Sequence, residues 1–167
     1  MKEFIIIALC ALGAFAISLL ITNLIVRKRP KSLLDYIKPN LKDYKKYKAV
    51  MCESENYPAV IVAFRNWDIA VMNCTLNEND FSVGEPVIYK EDDLSLIRLG
   101  KMRTEIKLYD RGGSLLFAFN VNPATSKQIC KDFPVDVDFS EDANYFYDFI
   151  DKFQKRLEDR TNRIYDN

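Results

Sequence analysis

Residues 4–26 (FIIIALCALGAFAISLLITNLIV) form one run of 23 residues without a charge, closed by Arg27-Lys28-Arg29-Pro30. As an α-helix rising 1.5 Å per residue, such a run covers roughly 34 Å, enough to cross a hydrocarbon core of about 30 Å with some tilt. It predicts a transmembrane anchor over residues 1–26 and leaves the rest of the chain to fold separately. A cleavable secretory signal has an apolar stretch of only about 7–15 residues. A cut after Ala14-Phe15-Ala16 would leave Ile17 to Val26 as an exposed apolar end, and Leu9 is bulkier than the residue lipoprotein sites favour before Cys10. An uncleaved span is therefore expected. Ala14 and Ser18 make one small-xxx-small pair, the spacing that lets membrane helices approach closely, although Ala and Gly are also simply common in such helices.

The flanking charges set the expected orientation. Lys2 is the only basic residue before the run, whereas Arg27, Lys28, Arg29 and Lys31 follow it. The positive-inside rule then places residues 27–167 in the cytoplasm and the N-terminus outside, giving a single-pass protein of the cell membrane. Cysteine usage agrees: Cys52, Cys74 and Cys130 are too scattered for a metal motif and odd in number for internal pairing, as expected of reduced thiols. Asn73-Cys74-Thr75 is a formal glycosylation sequon that a cytoplasmic site would never use.

A net charge of zero hides a division. Residues 27–48 carry nine basic side chains against Asp35 and Asp43, a net of +7, while residues 49–167 carry 14 Lys/Arg against 21 Asp/Glu, a net of −7. The expected plan is an anchor (1–26), a basic juxtamembrane stalk (27–47) and a globular domain (48–167). Each Lys or Arg near an anionic leaflet contributes about 1 kcal/mol, which makes Arg27, Lys28, Arg29 and Lys31 candidate contacts for anionic lipid headgroups. Leu34, Ile37, Leu41 and Tyr44 recur at steps of three and four, broken near Pro39. Two readings stay open: an amphipathic helix on the membrane surface, or a linker whose apolar residues pack on the domain. The acidic domain is repelled by nucleic acid, so its expected partner is another protein, a second copy, or the stalk itself.

From Lys48 the chain reads as strands. Ala49–Cys52, Ala59–Phe64 and Trp67–Thr75 are apolar and β-branched, with Asn66 as a turn signal. Asn77–Gly84 reads as a polar loop, followed by short strands at Pro86–Tyr89 and Leu94–Leu99. Met102, Thr104, Ile106 and Leu108 alternate with polar residues, and Asp110-Arg111-Gly112-Gly113 then turns the chain into Leu115, Phe117, Phe119 and Val121. This is the pattern of an antiparallel hairpin with one wet face. Ser140 is the expected N-cap of a closing helix, whose stripe is Phe146, Phe149, Ile150, Phe153 and Leu157. Trp67 and the phenylalanines are expected in the core.

About six or seven short strands and one C-terminal amphipathic helix make an α+β class, a bent antiparallel sheet or partly open barrel capped by the helix. That order, with Tyr89-Lys90-Glu91-Asp92-Asp93-Leu94-Ser95-Leu96-Ile97 as an acidic lead-in to a central strand and the Gly112-Gly113 hairpin before the helix, resembles the pleckstrin-homology-like domains of bacterial membrane proteins over about residues 48–160. The resemblance implies the fold. It does not carry phosphoinositide binding, because the first hairpin has only Lys46, Lys48 and Arg65 where binding members have a dense basic cluster. The stretch Asn122–Phe139 is longer than the family's last connection and has room for a further helical turn at Ser126–Lys131.

The chain has no histidine, which removes Ser-His-Asp and Cys-His nucleophilic systems and histidine metal sites. No Cys-x-x-Cys, phosphate-binding glycine loop or Ser-x-x-Lys is present. No enzyme activity, catalytic residue or cofactor is expected. Asp136-x-Asp138-x-Ser140-x-Asp142 resembles the start of a calcium loop, but Glu141 stands where glycine is needed and Tyr147 where a bidentate Glu belongs. Acidic residues at a helix N-terminus are sufficiently explained by the helix dipole, so Asp136, Asp138 and Asp142 are weak metal candidates. The leading expectation is a membrane-anchored binding module for a protein partner or a second copy; the alternatives are anionic-lipid recognition through the stalk and a divalent-cation-dependent domain.

Overall fold

The computed structural model describes Gly13, Phe15, Ile17, Ser18 and residues 31–57, 59–77, 80–100, 104–121, 128, 135–136 and 139–165. The chain divides into two compact units, Met1–Pro30 and Lys31–Asn167. In the first, the four described residues are helical, with Phe15 and Ile17 exposed. The rest of the apolar run lies outside the described residues, among which no helix is long and apolar enough to cross a membrane.

In the second unit, strands β2 (Lys48–Cys52), β3 (Ala59–Arg65) and β4 (Asp68–Asn77) form an antiparallel meander. Asn66 makes the β3–β4 turn at φ 46°, a left-handed conformation that asparagine tolerates. The long β4 carries two short strands end to end along its other side, β5 (Asp80–Val83) at Cys74–Asn77 and β6 (Val87–Lys90) at Asp68–Val71. Part of the expected polar loop 77–84 is therefore a strand. Its reason is packing: Phe81 is buried and meets the edge of Tyr36 at 5.0 Å between ring centroids.

A second sheet follows, β7 (Leu94–Leu99), β8 (Glu105–Asp110) and β9 (Leu115–Asn120). The β8–β9 turn depends on Gly113 at φ +80°, while Asp110 Oδ1 accepts from the Ser114 N–H at 2.8 Å. The two sheets join at one corner, where Glu53 and Asn120 exchange backbone hydrogen bonds of 3.0 and 2.7 Å. The result is a curled antiparallel half-barrel.

The final helix, Phe139–Tyr165, fills its opening. Phe146, Ile150, Phe153 and Leu157 are fully buried, each worth about 1.5–3 kcal/mol by transfer. Phe146 lies 5.0 Å from the Phe64 ring on β3 and 6.0 Å from Phe119 on β9, so one side chain ties both sheets. Ser140, expected as the N-cap, is already inside the helix, which starts one residue earlier. Gln128 is helical, and the rest of the expected turn at 126–131 lies outside the described residues.

The outer face of the first sheet is also covered. The chain enters through β1 (Lys31–Ser32), paired in parallel with β10 (Val135–Asp136), then forms α1 (Leu33–Ile37) and a 3-10 turn at Tyr44–Lys46. Ser32 and Asp35 close a capping box at the start of α1, and Pro39, lacking an N–H, stops the helix. Leu33, Ile37, Leu41 and Tyr47 are buried against Ala49, Met51, Ile61, Ala63, Ala70 and Met72. Of the two readings of this segment, packing on the domain is the one observed. Residues 31–47 thus form an outer layer of the folded unit, and the helix within it, designated α1, is far shorter than the final one, α2.

Candidate functional site

The residues singled out for chemistry are dispersed. Arg27, Lys28, Arg29 and Asp138 lie outside the described residues. Lys31 and Asp136 occupy the β1–β10 ladder, opposite Val135 and Ser32, and Asp142 sits on the first turn of α2. Among the described residues no group of three or more His, Cys, Asp or Glu side chains could hold a metal.

The thiols are interior groups. Cys52 and Cys74 are free and buried. Burial pushes the Cys74 thiol up to about 12 and the Cys52 thiol well above its ordinary range, so neither is a thiolate at neutral pH. The formal sequon is equally built in, since Asn73 and Cys74 stand in mid-strand and the Asn73 carbonyl accepts the Gly84 N–H at 2.9 Å.

The acidic lead-in is a structural turn. Glu91, Asp92 and Asp93 link β6 to β7, and the end of α2 docks on them. Arg156 Nε donates to Glu91 Oε2 at 2.8 Å while its guanidinium lies 4.6 Å from the Trp67 ring centroid. Arg160 donates to the carbonyls of Glu91, at 2.7 Å, and Leu94. Arg156 and Arg160 therefore clamp the helix to the sheet, and Trp67 completes the contact by packing on Phe153.

Beside this clamp the half-barrel has an open edge. The Lys90 N–H donates to Asp93 Oδ2 at 2.9 Å and its carbonyl accepts from the Asp93 N–H at 3.0 Å, so both Lys90 groups turn away from β4. Antiparallel pairing alternates, and Ile88, two residues back, must point its N–H and C=O to the same side. Among the described residues no strand pairs there. Farther along, Asn40 Nδ2 donates to the carbonyls of Val83 and Gly84 at 2.6 and 3.1 Å, occupying the β5–β6 junction. Val87 and Ile88 are left 53% and 41% exposed.

An open cleft of about 530 Å³ adjoins Ile88 and Tyr89 on β6. It is bounded by Asp92 and Asp93 in the next turn, by Asp110, Arg111 and Gly112 at the hairpin tip, and by Leu116 on β9. Arg111 reaches Asp92 Oδ1 at 3.2 Å, and the remaining carboxylates give the cleft an acidic balance. The sequence held one sign of this edge: Val87 and Ile88 are adjacent apolar residues on a strand, where successive side chains face opposite ways.

A second exposed surface lies on the outer layer, where Lys38, Lys42, Lys45 and Lys46 all face solvent. In comparison with known proteins, no family model, no curated relative and no solved structure matches this chain.

Proposed function

We propose that this chain is a membrane-anchored, non-enzymatic binding module of pleckstrin-homology-like type. Residues 4–26 serve as its single span and residues 31–167 as a cytoplasmic domain that receives a protein partner. The architecture supports the type, with an antiparallel half-barrel plugged by a C-terminal helix. The apolar run and its basic flank support the anchor and its orientation.

One observation carries the binding role, the β6 edge at Ile88, unpaired among the described residues, beside the acidic cleft. An edge strand with free backbone groups accepts an added strand, and exposed apolar neighbours supply contact area. Asp92, Asp93 and Asp110 select an extended segment bearing Lys or Arg. A second copy is the poorer occupant, because it would bring the same carboxylates to the interface.

Photo-crosslinking tests this in the full chain in its native membrane. A crosslinker at Ile88 should give a discrete adduct that Asp92→Lys with Asp93→Lys abolishes, and one at the exposed Glu158 should not. No adduct at Ile88 above that control sinks the binding role. An adduct of twice the chain mass replaces the foreign partner by a second copy.

Anionic-lipid recognition is the second reading, favoured by the exposed lysines of the outer layer. In it Arg27, Lys28, Arg29 and Lys31 meet headgroups as the chain leaves the bilayer.

A further inference from the structure

We infer that the outer layer of the folded unit is a bilayer-docking face, on which Lys38, Lys42, Lys45 and Lys46 meet anionic lipid headgroups. This rests on the lipid reading and moves its main contact from Arg27, Lys28, Arg29 and Lys31 to a formed surface. Four observations carry it.

The layer has little apolar surface left to insert. Leu33, Ile37, Leu41 and Tyr47 are buried against the first sheet and Leu34, Tyr36 and Tyr44 are partly buried beside them, so what it offers outward is chiefly charge. Its two carboxylates are engaged within the fold. Asp35 closes the capping box with Ser32, and Asp43 lies 3.7 Å from Lys46 and 3.9 Å from Arg65. Lys42 and Lys45 are exposed and make no ion pair among the described residues.

The unit is electrically polarised. Residues 31–48 carry six lysines against two aspartates, a net of +4, whereas residues 49–167 carry a net of −7. An anionic surface attracts the first and repels the second, which selects one face for approach. The chain also keeps that face within reach. Lys38 follows Val26 by twelve residues, a contour of at most roughly 40 Å. Each lysine near the anionic leaflet shifts the docked population by about fivefold, and the attraction decays within a Debye length of about 8 Å at physiological salt.

The test uses the full chain in nanodiscs of phosphatidylcholine alone or with about 30% phosphatidylserine, read by amine acetylation and mass spectrometry. Lys38, Lys42, Lys45 and Lys46 should be acetylated about fivefold or more slowly in the anionic discs, and roughly 0.5 M salt should remove the difference. Lys107 and Lys155, on β8 and α2, should react alike in both discs. Lys42→Glu with Lys45→Glu should lose the protection at Lys38 and Lys46 while the thermal unfolding midpoint stays put. Equal acetylation of the four lysines in both discs overturns the proposal, as does protection that survives the double substitution. Failure of the anchor reads differently: the chain then washes off the discs in alkaline carbonate. Flotation of that same chain with phosphatidylserine vesicles would still decide the docking face, binding supporting it and no binding overturning it.

Discussion

The two sheets of the folded unit are built on opposite terms. In the first, β3 is buried on both faces over Ala59–Phe64. Val60, Val62 and Phe64 face the half-barrel interior, while Ala59, Ile61 and Ala63 face the outer layer. In the second, β8 keeps Ile106 and Leu108 inside and leaves Lys107 and Tyr109 partly exposed. A sheet with one covered face needs apolar residues at every second position; one with two covered faces needs them at all. The first sheet is therefore not complete without residues 31–47, which are a structural part of the domain.

A charge on the outer face of β3 should break that comparison most sharply. Ile61→Asp places a carboxylate between sheet and layer, with an expected loss of about 4 kcal/mol or more, enough to unfold a domain of ordinary stability. Urea denaturation followed by circular dichroism measures it, and a midpoint like that of the unaltered chain would contradict the two-faced burial. Ile37→Ala on the layer itself should cost about 2–5 kcal/mol, against less than about 0.5 kcal/mol for Leu115→Ala on the wet side of β9. Equal costs would mean that the layer contributes nothing.

Alkali sharpens the comparison next, because both described thiols lie in the first sheet. An unfolded cysteine ionises near pH 9, whereas burial holds folded Cys74 up to about 12 and raises Cys52 well above its ordinary value. The unfolded state then releases protons first, so stability is full below about pH 9 and falls as pH rises toward about 12. The loss should reach about 1–2 kcal/mol per thiol near pH 10, and Cys52→Ala with Cys74→Ala should flatten it. The smallest effect concerns the seam between layer and edge. Asn40→Ala removes the two side-chain hydrogen bonds to Val83 and Gly84 and should cost about 1 kcal/mol, with faster amide exchange in β5.

Much of this is legible in the chain. The β8–β9 hairpin declares itself by alternation and by Gly112-Gly113, although a register shift at Leu108/Tyr109 leaves Leu115 exposed on the wet side and packs Leu116 on the core instead. The spacing of Phe146, Phe149, Ile150, Phe153 and Leu157 is enough to mark the inward face of α2. Phe81 is hidden in a polar stretch, because one aromatic among Asn, Glu, Asp and Ser carries no period. The roles of Arg156 and Arg160 are equally hidden, since i,i+4 spacing describes a helix surface and cannot name a turn 65 residues away. The candidate site shows least. Only Val87-Ile88 hints at it, whereas Asp92 and Asp110 meet through a fold that brings distant turns together.

By itself the sequence determined the periods, which decide helix or strand and which residues turn inward, together with the separation of an uncharged run from a charge-divided remainder. These are local properties, set by side-chain spacing along the backbone. Only the tertiary structure decided that residues 31–47 cover a sheet, that two sheets curl into one half-barrel, and that the outer edge of β6 has no partner among the described residues. Each of these depends on which surfaces meet, and a continuous apolar strand such as Ala59–Phe64 states that both its faces need cover without saying which segment supplies it.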